Sequence, residues 1–434
     1  MEMKKLFLFF LAAAWLATSS GQRITLPEAI SLALKNSFSI QIGKNNVDIA
    51  GINNYYGIAG GLPLVVLSGS DIEQITSLRQ TYANPANNKS SDYASSNTLS
   101  AGLNGSELLY NGQRVVTVKK RLGEIESQTK QQLSSRALTV VYNVMLKYYD
   151  ITRQQSYAKT LQISIDASRQ KLEIVKEQQN VGMANNADLF QAQVDLNTQI
   201  QNLQAQQLIV DQDKTDLLTL LTLNPDSAIT IDDTIYVDKN IKLGNVLEGI
   251  TTNPDLVAAN EQITINHYIE KETAALRYPS LSLSGGYNIS RTQNAAGFSL
   301  LNENYGPYTG ISVIIPLFNG NIYKRQLQIA GINTKNAALQ KDTLLLNYTA
   351  NAIKSWQAYQ NNLQQLETAV QTFDLSKKLL DLVIQRFQLH QATIVDVKNA
   401  QQSFESAGFA LINISYAAKA GEIQLERYAN NLRY

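Results

Sequence analysis

Leu109-Tyr110-Asn111-Gly112 returns 208 positions later as Leu317-Phe318-Asn319-Gly320, and each copy introduces a long run without proline, Gly112 to Val181 and Gly320 to Leu389. The same offset holds past the far end of each run, where Asp188, Ala192 and Gln193 match Asp396, Ala400 and Gln401. Each run reads as one continuous helix, and at 1.5 Å per residue each rod is roughly 100 Å long. Twins of that size without an insertion or deletion make rod length a fixed quantity. One duplicated architecture therefore replaces the several domains that 434 residues would otherwise suggest.

The start of the chain reads as an address. Lys4-Lys5 precede the apolar Leu6 to Leu16, followed by Ala17-Thr18-Ser19-Ser20-Gly21, the layout of a secretory signal peptide over residues 1–21. No run of about twenty apolar residues follows, so any membrane crossing must be made by strands. The 37 basic and 36 acidic residues leave a net charge of +1, which excludes nucleic acid as an expected partner. Cysteine is absent, excluding disulfides, thiol catalysis and a lipid-modified N-terminal cysteine. No zinc-protease helix motif, phosphate-cradling loop or nucleophile elbow occurs, so neither an enzyme nor a cofactor is expected.

The duplication sets the boundaries. The first repeat, 22–224, holds a helix from Leu26 to about Tyr56, a strand hairpin at about 62–109, the rod, a tip at about 182–188 and a returning helix from Ala187 to Leu223. Residues 225–242 form a linker in which Ile229-Thr230-Ile231 and Thr234 to Val237 read as short strands. The second repeat, 243–434, holds a helix from Leu243 to about Leu276, a hairpin at about 279–317, the second rod, a tip at about 390–396 and a returning helix from Ile394 to Tyr428. Before the hairpins the offset is 217, as in Asn36 and Asn253, so the first hairpin region is the longer. In each repeat two shorter helices end to end would flank one rod.

The hairpins carry the membrane reading. Pro279 to Ser290 alternates, with Leu281, Leu283, Tyr287 and Ile289 on one face and small polar residues on the other; Thr309 to Leu317 is its partner, and the first half repeats the pattern less cleanly in Pro63 to Asp71 and Leu99 to Leu109. The polar segments Gln80 to Thr98 and Arg291 to Asn304 read as exposed loops. The expected strands, about ten residues each, suit a tilted bilayer crossing. Four strands cannot close a barrel, and an open edge cannot sit in lipid, so closure requires several chains. Eight strands leave a filled interior; twelve from three chains leave a passage. The expected fold is mainly α with a membrane β-barrel, the alternative being soluble hairpins packed on the rods. Rods rich in Gln, Asn and Thr fit a wall wetted on one side and equally a solvated coiled coil.

With the Leu-Tyr/Phe-Asn-Gly junctions, Val181-Gly182 with Asp188, and Thr393-Ile394-Val395-Asp396-Val397 in place, the chain resembles the TolC family of outer-membrane efflux and secretion ducts. The resemblance implies a homotrimer with a twelve-stranded barrel in outer-membrane lipid and a twelve-helix periplasmic tunnel. It implies docking by a periplasmic adaptor and a pump of the RND or ABC type, and it assigns the entrance to Asp396, Asn399, Leu389 and Asp188. The adaptor-contacting tips would be Val181, Gly182, Met183 and Ala184 with His390, Gln391, Ala392 and Thr393. In the family a second aspartate follows the first by three residues, where this chain has Asn399; the tip glycine is His390, and the tyrosine and arginine of an ionic tether fall at Leu389 and Ala392. On the residues alone, Asn185 with Asp188 and Thr393 with Asp396 have the form of capping boxes. The expected function is a passive exit duct for small molecules; a duct for type I protein secretion and a non-transporting periplasmic coiled-coil scaffold are the alternatives.

Overall fold

The computed structural model describes residues 22–432, so the segment expected to be a signal peptide, 1–21, and the last two residues lie outside the described part. In chain order the elements are β1 (Gln22–Arg23), α1 (Leu26–Asn36), α2 (Phe38–Asn53), β2 (Leu64–Gln80), β3 (Lys89–Tyr110), α3 (Arg114–Asn180), α4 (Asn186–Leu220), β4 (Ile229–Thr230), α5 (Leu243–Ile250), α6 (Pro254–Ala275), β5 (Ser280–Asn294), β6 (Leu301–Ile314), α7 (Ile322–Gln388) and α8 (Ile394–Tyr428). The duplication holds at element bounds: α3 and α7 each have 67 residues and α4 and α8 each have 35, every terminus displaced by 208.

Backbone conformation repeats with it. Four pairs of left-handed residues recur at the same offset: Gly112 and Gly320, Gln113 and Asn321, Gly182 and His390, Thr222 and Asn430. The first two pairs place two successive left-handed residues between a strand and a long helix. That reversal is what the Asn-Gly junctions supply, glycine accepting positive φ at little cost.

The chain forms two compact units, each taking segments from both repeats. One comprises Asn46–Lys130 and Ala258–Lys341 and contains the four-stranded sheet, in the order β2-β3-β5-β6 and antiparallel throughout. Its helical part is tied by polar contacts: Arg121 on α3 pairs with Glu272 on α6 at 2.6 Å, Ser127 donates to Glu261 at 2.6 Å, and Asn54 donates to Glu126 at 2.7 Å.

The other unit comprises the remaining segments and, among the described residues, holds four apolar clusters, the smallest formed by Ala167, Leu380, Ala400 and Phe404. Around Tyr148 on α3 gather Ile24, Ile30 of α1, Leu217 and Leu218 of α4, Ile229 of β4 and Ile423 of α8. Tyr148 donates to the Ile24 carbonyl at 3.3 Å, and β1 pairs in parallel with β4, fastening the N-terminal segment to the linker. Tyr359 of α7 centres a second cluster with Val246 and Ile250 of α5 and Ala418 and Leu425 of α8; its hydroxyl donates to the Asp238 carbonyl. The third lies between the helix pairs near the tips, with Ile165, Leu172, Val175, Ala192, Leu196, Phe387 and Val397.

Three expectations are corrected. The helix expected from Leu26 to about Tyr56 breaks at Ser37, where ψ of 123° leaves the helical region, and the one expected from Leu243 breaks before Pro254. Proline cannot donate its missing N–H to the preceding turn, and buried Asn253 recaps the new helix by accepting from the Asp255 amide at 3.1 Å. Strands expected at about ten residues have 17, 22, 15 and 14, absorbing most of both segments expected as loops. Backbone pairing continues past the apolar band because polar side chains in water obstruct neither ladder. In the linker, Ile229–Thr230 is a strand, whereas Thr234 to Val237 joins no sheet and serves packing through Ile235 and buried Val237.

Candidate functional site

In the unit that holds the sheet, the register sorts residues onto two faces. Asp71, Leu99, Arg291 and Glu303 share one cross-strand row; the next rows on that face are Gly69-Ala101-Ile289-Tyr305, Leu67-Leu103-Tyr287-Pro307 and Val65-Gly105-Gly285-Thr309. Glu107-Leu283-Ile311 and Leu281-Val313 follow. An apolar band thus lies below a charged row, which Arg291 and Glu303 pin at 3.5 Å and Asn97 extends by donating to Asp71 and Glu73 at 2.7 Å each. Within the single chain the band is exposed, Leu67 at 78% and Ile311 at 68%.

The opposite face is wet. Ser70 and Ser100 bond through their hydroxyls at 2.8 Å, and the Tyr308 hydroxyl crosses β5 to donate to Asn104 at 2.8 Å. Among the described residues no helix is long and apolar enough to cross a membrane.

The tips belong to the other unit. Helix α3 ends at Asn180, Gly182 turns left-handed with φ of +76°, and the Asn185 side chain caps α4 by accepting from the Asp188 amide at 2.9 Å. The second tip repeats this with φ of +58° at His390; Thr393 Oγ1 accepts from the Asp396 amide at 3.2 Å, and the Thr393 amide donates to the Asp396 carboxylate at 2.8 Å. Both aspartates therefore belong to capping boxes. The backbone hydrogen bond from Thr393, joined by that from its hydroxyl, holds the Asp396 carboxyl below its usual range. Asn399 is exposed one turn further on, and Leu389 is 65% exposed beside the turn. Ala184 and Ala392 pack into the tip cluster, while Val181, Met183 and Gln391 are exposed.

Contacts that the sequence did not reveal join the helices near the tips, some within a hairpin and some between the two. Gln178 on α3 donates to the Phe387 carbonyl at 3.3 Å and faces His390 Nδ1 at 3.2 Å. Deeper, Lys171 on α3 is fully buried and donates to Asp195 on α4 at 2.6 Å, while Lys398 on α8 reaches the same carboxylate at 3.5 Å. Burial alone would raise the Asp195 carboxyl, but hydrogen bonds from Lys171 and Gln191 outweigh it and hold it low. The available signal was a lysine standing directly before Leu172 on the buried stripe with Ile165 and Val175.

The family model described as outer membrane efflux protein matches residues 29–222 and 249–431, one segment for each repeat. The chain belongs to the outer membrane efflux protein family. It is 24% identical over 359 residues to the outer membrane protein TolC of Vibrio cholerae, covering 78% of each chain. The outer-membrane channel OprN shares the fold at a TM-score of 0.77 and 14% identity, over 94% of this chain and 90% of that one. The outer-membrane protein VceC of Vibrio cholerae does so at 0.73 and 20%, over 94% and 96%. The protein is accordingly an outer-membrane protein in a family of channels rather than enzymes.

Proposed function

We propose that three copies of this chain form an outer-membrane exit duct of a tripartite efflux system, conducting small molecules passively from a periplasmic adaptor and inner-membrane pump to the exterior. The observation that carries this reading is the sheet: its outer strands β2 and β6 each leave one edge open while its band is apolar. Unpaired backbone groups in hydrocarbon cost several kcal/mol each, so a lone sheet of this kind does not enter a bilayer. Joining β6 of one copy to β2 of the next removes every edge after three copies and gives twelve strands, enough to leave a passage.

The helical flanks support the same pairing. In the segment that leads into β2, Ile49, Ile52 and Tyr56 stand exposed, and in the first part of the helix that follows β6 so do Ile322, Ile329, Ile332 and Leu339, two pairs of them seven residues apart. Exposed apolar residues at heptad spacing suit a partner helix. The band fits a bilayer: Leu281 to Ile289 is roughly 30 Å of strand, and a tilt of about 40° leaves roughly 23 Å across it.

The tips make the periplasmic end. Val181, Gly182, Met183 and Ala184 with His390, Gln391, Ala392 and Thr393 receive the adaptor, and Asp396, Asn399, Leu389 and Asp188 border the entrance. With Leu389 and Ala392 in place of a tyrosine and an arginine, the entrance has no ionic tether at those positions, and closure rests on apolar packing. Reconstitution into planar bilayers tests the duct: stepwise conductance from a detergent-extracted trimer is expected. A protein released in periplasmic washes without detergent, or a trimer that never conducts, overturns it.

A further inference from the structure

All five charged side chains on the regularly paired part of the sheet, Asp71, Glu73, Glu107, Arg291 and Glu303, lie on the face that carries the apolar band. The other face has none from Leu64 to Thr76, Ala94 to Leu108, Ser280 to Asn294 and Asn302 to Ile314. Its central rows are Ser70-Ser100-Ser290-Asn304, Ser68-Gly102-Asn288-Gly306 and Val66-Asn104-Gly286-Tyr308.

Two of the larger side chains of this face, Asn288 and Tyr308, lie down on glycines instead of standing away from the sheet. A Cβ on Gly102 would meet Asn288 Oδ1 at 2.3 Å, and one on Gly286 would meet the Tyr308 ring at 3.0 Å. Tyr308 is held in that position by its bond to Asn104. Hydroxyls and carboxamides satisfied in this way present dipoles but no net charge. Charged rings on a low-dielectric wall focus potential into a bore and sort solutes by sign; a wall without them does not.

We infer that the strand section of the duct is a neutral, flattened wall that passes anionic, cationic and uncharged polar cargo without electrostatic preference, leaving discrimination by charge to the helical part. The inference rests on the duct reading above and adds to it which face lines the bore and what that face selects.

The chain has no cysteine, so single cysteines report without background. Ser100→Cys and Asn288→Cys place thiols on the wet face and Ala101→Cys places one on the band. Each reconstituted channel is exposed from the barrel side to a cationic and to an anionic methanethiosulfonate, and each rate is divided by that reagent's rate with a free thiol. Expected are cationic and anionic rates equal to within about twofold at positions 100 and 288, and no reaction at 101 with either aqueous reagent. A bias of about tenfold or more in either direction, in channels that conduct, overturns the neutral wall and leaves the duct standing. A thiol at 101 that reacts while one at 100 does not, or a wild type without conductance, removes the duct reading itself.

Discussion

At Gly112 and Gly320 the backbone turns through the same left-handed angles, φ of +68° and +67°, but the surroundings differ. A Cβ on Gly112 would stand 2.8 Å from Tyr278 Cβ and 3.1 Å from the Ala275 carbonyl oxygen; on Gly320 it would meet nothing within 4 Å. Gly320→Ala should therefore cost about 1 kcal/mol, the left-handed penalty alone, and Gly112→Ala a further 1–3 kcal/mol from the clash. Denaturation midpoints in detergent separate the two; equal losses would refute the steric term. Lys171 gives a second test. Asp195→Asn leaves that fully buried ammonium unpaired and should cost about 3 kcal/mol, whereas Lys398→Gln, losing a 3.5 Å exposed contact, should cost under about 1 kcal/mol. The sign of the pH dependence follows from the depressed carboxyls of Asp195 and Asp396. Their contribution is complete above the ordinary carboxylate range and is lost as pH falls through the lowered values. Amide protection at the second tip, corrected for intrinsic exchange, should drop in acid and become flat in Asp396→Asn. At this scale the capping boxes were legible because they are local in sequence. The links of Gln178 to His390, of Lys171 to Asp195 and of Lys398 to that same carboxylate were not, since each joins separate helices, the first and last across the two hairpins, and none recurs at the 208-residue offset.

Among the elements, the sheet faces make the sharpest contrast. Leu103→Arg puts a charge in the apolar band and should cost roughly 2–4 kcal/mol of insertion, while Asn104→Arg, one residue along and on the other face, should be tolerated. The yield of folded protein in outer-membrane fractions measures both, and equal yields would refute the assignment of faces. Rod bounds were legible because a long proline-free run propagates helix by itself and its twin fixes the ends. The break at Ser37 was not, since one extended residue interrupts a polar stretch without disturbing the apolar pattern around it. Pro254 carried a local signal for the equivalent break in the second copy, which the expected helix from Leu243 to about Leu276 ran through. Strand lengths escaped because alternation reports only the half-buried part of a ladder; Lys89 to Thr98 pairs with no apolar face to announce it.

For the molecule as a whole, sequence and fold agree on the family, and the remaining claim concerns number. One chain supplies a four-stranded sheet with two open edges, and only association closes it. On the proposed reading, the exposed apolar residues of the helix after β6 belong to the same interface, so Ile332→Glu with Leu339→Glu should yield protein that neither assembles nor conducts, measured by light scattering and bilayer recording; wild-type assembly would place the interface elsewhere. The most direct test is electron cryomicroscopy of the protein in lipid nanodiscs, viewed along the membrane normal. Three-fold particles with an open centre ringed by twelve strands are expected; single copies, or a three-fold particle with a filled centre, would contradict the account.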